Sequence, residues 1–254
     1  MLRLSIVRHV LKINIILIAI TLFGVNTCFA KHVHHHHKIY YAARAHNKML
    51  AQLEPQKENK RIVALVNQTI GTLNYSKYKF GGSRFDSSKG VYIIDCSNFV
   101  DHLLAKVNRP AYRSLVNSSG SDTPNTQHYY EFFKSLPAGN SHYWNKVEAV
   151  AELQAGDILV FRKESSYDSS GHIMVVMKKP LKNTDTFEVQ VADSAPVGHS
   201  HDTRLPHVSG IGIGTLLLKV NLKTGKPFAY AWREGSYWKR NIHFAMARPL
   251  DIRS

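Results

Sequence analysis

Asp95-Cys-Ser-Asn-Phe-Val-Asp-His-Leu-Leu-Ala-Lys-Val107 is the stretch that decides the fold. Phe99, Val100, Leu103, Leu104 and Val107 fall at the i, i+3, i+4 spacing of one helical face. Asp95 stands where an N-cap carboxylate accepts an amide hydrogen of the first turn. Upstream, Ile62, Leu65, Val66, Ile70 and Leu73 repeat the helical spacing. Tyr40, Ala43, Met49 and Leu50 suit an earlier helical piece, broken near Pro55. Gly81-Gly82 interrupts the pattern before Asp95. Downstream, residues 109–146 are mixed, with a Ser/Gly/Asp-rich loop at 117–123 and a short aromatic helix near Tyr129 to Leu136. The pattern then turns to strand at 157–161, 172–177, 187–192, 213–220 and 243–247. Helices first and an antiparallel sheet later predict an α+β domain. No linker-like stretch divides residues 39–254, so they are expected to form a single domain.

The chain has 254 residues, with 33 Lys plus Arg against 18 Asp plus Glu, 44% hydrophobic residues and two cysteines. Those figures exclude a disordered chain, a collagen-like repeat and a disulfide-dense mini-protein. Residues 1–30 read as an export signal: Arg3, Arg8 and Lys12 are followed by an apolar run from Ile13 to Val25 and by the small-x-small ending Cys28-Phe29-Ala30. A retained anchor and lipidation at Cys28 are the alternatives. Cleavage after Ala30 removes three positive charges and no negative ones, so the formal +15 becomes +12. It also removes Cys28 and leaves Cys96 as the one thiol, which excludes an internal disulfide. Residues 31–38 form a His-rich tail, read either as a metal chelator or as a flexible terminus. The expectation is an exported, periplasmic or extracellular monomer with no stable membrane span. Its positive charge would face peptidoglycan or another anionic envelope polymer rather than nucleic acid, for which no motif is present.

Cys96 falls at a helix start, where free amides and the positive end of the helix dipole stabilise a thiolate and can hold an oxyanion. His172 opens an apolar strand and can face a helix packed on the sheet. Asp193 shares a strand face with Val189 and Val191, from which it can reach the second ring nitrogen of His172 and fix its tautomer. After Ala195 come His199, His201, Asp202 and Arg204. They read as part of a substrate cleft, with Arg204 pairing to a carboxylate, as metal ligands, or as an exposed polar loop. Gly210-Ile-Gly-Ile-Gly214 precedes a strand rather than a helix, which points to a turn or bulge and not a dinucleotide site. Tyr230, Trp232, Tyr237 and Trp238 suit either sugar stacking or packing.

Four ordered segments resemble the NlpC-type papain-like cell-wall peptidases: Tyr78-Lys-Phe-Gly-Gly82, Asp95-Cys-Ser-Asn-Phe-Val100, Leu153-Gln-Ala-Gly-Asp-Ile-Leu-Val-Phe161 and Gly171-His-Ile-Met-Val-Val176. The resemblance covers about Tyr75 to Ala195. It implies a papain-like fold with the nucleophile helix packed on a central antiparallel sheet. Cys96 would be the nucleophile, His172 the general base and Asp193 the third, polar residue. Tyr78 would line the site. Ser97, next to Cys96, and His199 and Arg204, which lie beyond the stretch the resemblance covers, are read from the residues alone as further substrate contacts. The implied activity is hydrolysis of amide bonds in peptidoglycan stem peptides, with no metal or cofactor. Two departures stand out. Asn98 occupies a position that is usually glycine in the family, and the third residue is commonly a histidine placed closer to the base. A wall-binding protein without catalysis and a thioester-forming acyl or peptidyl transferase are the alternative readings.

Overall fold

The structure is a computed structural model that describes residues 57–138, 141–163 and 171–250. The expected signal at 1–30, the tail at 31–38 and the helical piece from Tyr40 to Leu50 lie outside the described residues. Helix α1 (Lys57–Gly71) buries Ile62 and Val66. Strands β1 (Tyr75–Tyr78), β2 (Ser83–Asp86) and β3 (Val91–Ile94) then make a small sheet in the order β1-β3-β2. In it β1 runs parallel to β3, and β2 runs antiparallel.

Helix α2 (Cys96–Val107) follows, buried through Phe99, Val100, Leu103 and Leu104 as the spacing predicts. Each such side chain contributes about 1.5–3 kcal/mol by leaving water. Asn108 ends α2, and its carboxamide oxygen accepts from Ala111 N to start α3 (Arg109–Ser119). The expected loop at 117–123 begins later than its composition indicated. Asn108 and Pro110 together form a helix start, and α3 runs on to Gly120, whose φ of 65° ends it. Helix α4 (Thr126–Ser135) is the aromatic helix, capped by Asn125.

The remaining strands are β4 (Trp144–Val147), β5 (Ile158–Lys163), β6 (Gly171–Val176), β7 (Leu181–Asn183), β8 (Thr186–Ala195), β9 (Gly210–Val220), β10 (Pro227–Ala231) and β11 (Ile242–Pro249). They form one sheet in the order β10-β9-β8-β6-β5-β11-β4, with β7 added on β8 and all described pairs antiparallel. The fold is thus mixed α+β. Period-two alternation divides the core: Ile158, Val160, Ile173 and Val175 pack under the helices, while Leu159, Phe161, Met174, Val189 and Val191 pack on the other face. Asp157 is a buried carboxylate at the start of β5. Arg248 grips it through Nε at 2.8 Å and Nη2 at 2.9 Å, which ties β11 to the turn before β5.

Candidate active site

The site lies where β6 and β8 separate. Their ladder includes only the pairs Val175–Ala192 and Val176–Val191, so His172 and Asp193 fall on diverging chain ends. The start of α2 docks at this opening. Ser194 Oγ, next to Asp193, donates to Ile94 O at 2.7 Å, just before Asp95 and Cys96. His172 is in phase with Met174 and Val176, on the face away from the helices, where it pairs with Phe161. It therefore meets α2 at the strand end, rather than from the helix-covered face that its position as a strand opener predicted.

Asp95 shapes the mouth of the helix. Its Oδ1 accepts from Asn98 N at 2.8 Å, from Asn98 Nδ2 at 3.1 Å and from Ser97 Oγ at 3.1 Å. Its Oδ2 accepts from Gly81 N at 2.9 Å. One carboxylate thus caps α2 and fixes the Gly81-Gly82 turn. A Cβ on Gly82 would lie 2.8 Å from the carbonyl oxygens of both Lys79 and Ile93, so the turn needs glycine there. The Asn98 side chain folds back onto the cap through Nδ2 and stands in the wall of the site. The amides of Cys96 and Ser97 precede the first intrahelical bond and remain as donors at the mouth.

His172 joins the two ends of this arrangement. Its Nε2 meets Asp193 Oδ2 at 2.6 Å, which leaves Nδ1 as the ring nitrogen that can serve the Cys96 sulfur. Burial works against the charged ring. The charge of Cys96 and the bond to Asp193 outweigh it and push the pKa up to about 10. Asp193 is fully buried, which alone would raise its pKa. The charge of His199 and the bonds from both histidines hold it well below the ordinary carboxylate range.

Beyond Asp193 the network continues. His199 Nε2 reaches the same Oδ2 at 2.8 Å, and Arg204 Nη2 donates to Oδ1 at 2.9 Å. Arg204 also donates to Asp202 Oδ1 from Nε at 2.8 Å, to Asp202 Oδ2 from Nη2 at 2.7 Å, and to Gly210 O from Nη1 at 2.7 Å. This layer lies on β9 and explains Gly212 and Gly214. A Cβ on Gly212 would run into Arg204 Nε, and one on Gly214 would lie 2.6 Å from Asp202 Oδ2. Gly210-Ile-Gly-Ile-Gly214 is therefore part of β9 itself and not the turn or bulge its composition predicted.

A cleft of about 290 Å³ opens beside Cys96, walled by Tyr78, Phe80, Ser97, Asn98, Asn125 and Thr126. Burial, then the charges of Cys96 and Asp95, push the Tyr78 phenol up to about 12, so it is a donor at neutral pH. The structure brings Cys96, His172, Asp193, Tyr78 and Ser97 together. It places His199 and Arg204 behind Asp193 and out of the cleft. The Arg204 side chain is only 3% exposed, with Nε, Nη1 and Nη2 all bonded within the protein, so it does not meet a substrate carboxylate. His201 is exposed and separate from this network.

Trp232 is the residue that the sequence did not single out from its aromatic neighbours. Its ring lies 4.1 Å from the His199 ring and 5.1 Å from that of His172, centroid to centroid. Its signal was position: it directly follows β10, and its backbone oxygen meets His199 Nδ1.

No family model matches the chain, and no solved structure matches it. Among curated proteins, an uncharacterized protein of Acanthamoeba polyphaga mimivirus is 25% identical over 193 residues, covering 66% of this chain and 82% of that protein.

Proposed function

We propose that the protein is a cysteine amidohydrolase of the NlpC-type, papain-like class that cleaves amide bonds in peptidoglycan stem peptides. The observation that carries this reading is the His172 ring, held between Cys96 at a helix mouth and the buried Asp193 carboxylate. That is the arrangement a thiolate–imidazolium nucleophile needs. The resemblance of the four motif segments supports the family reading, and the formal +12 left after cleavage at Ala30 suits an anionic wall polymer.

Cys96 Sγ attacks the amide carbonyl and forms a C–S bond. The oxyanion accepts hydrogen bonds from amides at the start of α2 and from the Tyr78 hydroxyl. As the C–N bond breaks, the proton on His172 Nδ1 passes to the leaving amine. A water molecule then gives a proton to His172 and adds to the thioester, releasing the acid and the thiolate. Asp193 stays ionised throughout, holding the ring by Nε2.

The experiment is mass spectrometry of purified sacculi incubated with the protein and with Cys96→Ala. Peptide release by the wild type and none by a folded Cys96→Ala variant is expected. Sacculi left intact by the wild type, or equal release by both proteins, would overturn the proposal.

A further inference from the structure

Two histidines share Asp193 Oδ2, and of the two His172 is the one on which Cys96 acts. The His199 side chain has no exposed surface, and both its ring nitrogens face oxygen atoms. Nε2 lies 2.8 Å from Asp193 Oδ2, and Nδ1 lies 3.1 Å from the backbone oxygen of Trp232. Neither an ionised carboxylate nor a carbonyl can donate. A neutral ring would therefore press one nitrogen lone pair against an oxygen lone pair, whereas a ring protonated on both nitrogens satisfies both contacts. The indole of Trp232 packs on the same ring at 4.1 Å between centroids, tilted by 31°, a placement that suits a cation over an aromatic face.

We infer that His199 is a positioning residue held as an imidazolium, which with Arg204 clamps Asp193 as an acceptor and so directs His172 Nδ1 toward Cys96. This rests on the reading of Cys96, His172 and Asp193 given above.

The groups facing His199 come from every element around it. Asp193 lies on β8 and His172 behind it on β6. Asp202 accepts from His199 N at 2.7 Å and carries Arg204. Gly214 of β9 leaves room for the His199 Cβ. Next to Trp232, Arg233 Nε donates to Gly198 O at 2.8 Å, one residue before His199.

The consequence for His172 has a definite sign. His199→Gln keeps a donor toward Asp193 but removes the positive charge. Asp193 is then less compensated, His172 faces one cation fewer, and His172 holds its second proton more tightly.

The test is nuclear magnetic resonance of the full chain with isotope-labelled histidine rings, in wild type and His199→Gln. The wild-type His199 ring is expected to carry hydrogen on both nitrogens at pH 8, where an ordinary histidine is neutral. In His199→Gln, the His172 ring is expected to keep its second hydrogen to a pH about one unit higher, a tenfold change in proton affinity. A wild-type His199 ring with a single hydrogen at pH 8 would overturn the inference whether or not the variant folds. An unchanged His172 titration in a folded variant would reduce His199 to a spacer and overturn it as well. Both readouts need no substrate, so a failure here is distinguishable from a failure to cut sacculi.

Discussion

Asp193→Asn is the substitution whose effect the network fixes most tightly. Asp193 has no exposed side-chain surface and receives three donors, from His172 at 2.6 Å, His199 at 2.8 Å and Arg204 at 2.9 Å. Asparagine has almost the same shape, but one oxygen becomes an amide donor. Whichever way the amide turns, that donor faces either the two imidazoles or the guanidinium. The substitution also leaves the surrounding cations without their anion. Removing one partner of a buried ion pair costs about 3–5 kcal/mol, so the loss in unfolding free energy at pH 7 is expected in that range. Urea unfolding followed by tryptophan fluorescence measures it. The pH dependence has a fixed direction. Because the folded Asp193 pKa is depressed, its contribution is present above the unfolded carboxylate pKa and is lost as pH falls through the folded value. The gap between wild type and variant should therefore narrow in acid. A loss below about 1 kcal/mol at pH 7, within the range of a solvated surface pair, would refute the buried network.

Gly212→Ala should destabilise the protein by about 1–3 kcal/mol through overpacking against Arg204, while Gly71→Ala, with nothing within 4 Å of the new Cβ, should leave thermal unfolding unchanged or slightly raised. Asp101 sits on α2 with Tyr129 donating to Oδ1 at 2.6 Å. Burial outweighs that bond and, with the charge of Asp95, pushes its carboxyl up to about 8. Its folded pKa lies above the unfolded one, so the wild type loses stability as pH rises from about 4 to 8. Asp101→Asn should gain on it by on the order of a few kcal/mol across that window, and parallel melting curves would count against it. Tyr78→Phe should lower the rate of peptide release on the order of 100-fold with the melting temperature unchanged, and a normal rate would remove Tyr78 from the oxyanion site.

The sequence made the α+β class, the α2 face and the Asp95 cap readable because each rests on local periodicity or on a capping residue. The geometric relation of Asp193 to His172 was readable too, since strand alternation places Asp193 with Val189 and Val191. Three features depended on contacts far apart in the chain. The small sheet β1-β3-β2 consists of four-residue strands too short to show a period. The glycines of β9 looked like turn chemistry, because what they make room for arrives from other segments: Ser76 at Gly210, Arg204 at Gly212, and Asp202 with His199 at Gly214. Arg204 looked available to a substrate carboxylate, because sequence cannot show that Asp193, Asp202 and Gly210 O already occupy it. The α3 start was the one feature that local signals contained and composition hid, through Asn108 and Pro110.

The central claim is that His172, anchored by Asp193, activates Cys96. Its most direct measurement is the rate of Cys96 alkylation by iodoacetamide at pH 6, in a full chain carrying Cys28→Ser so that one thiol reports. A free thiol with a pKa near 8.5 is less than about 1% ionised at that pH. The account predicts that Cys96 reacts on the order of 10- to 100-fold faster than a free cysteine, and that His172→Ala abolishes the excess. A Cys96 rate equal to that of free cysteine, or one unchanged in a folded His172→Ala variant, would contradict it.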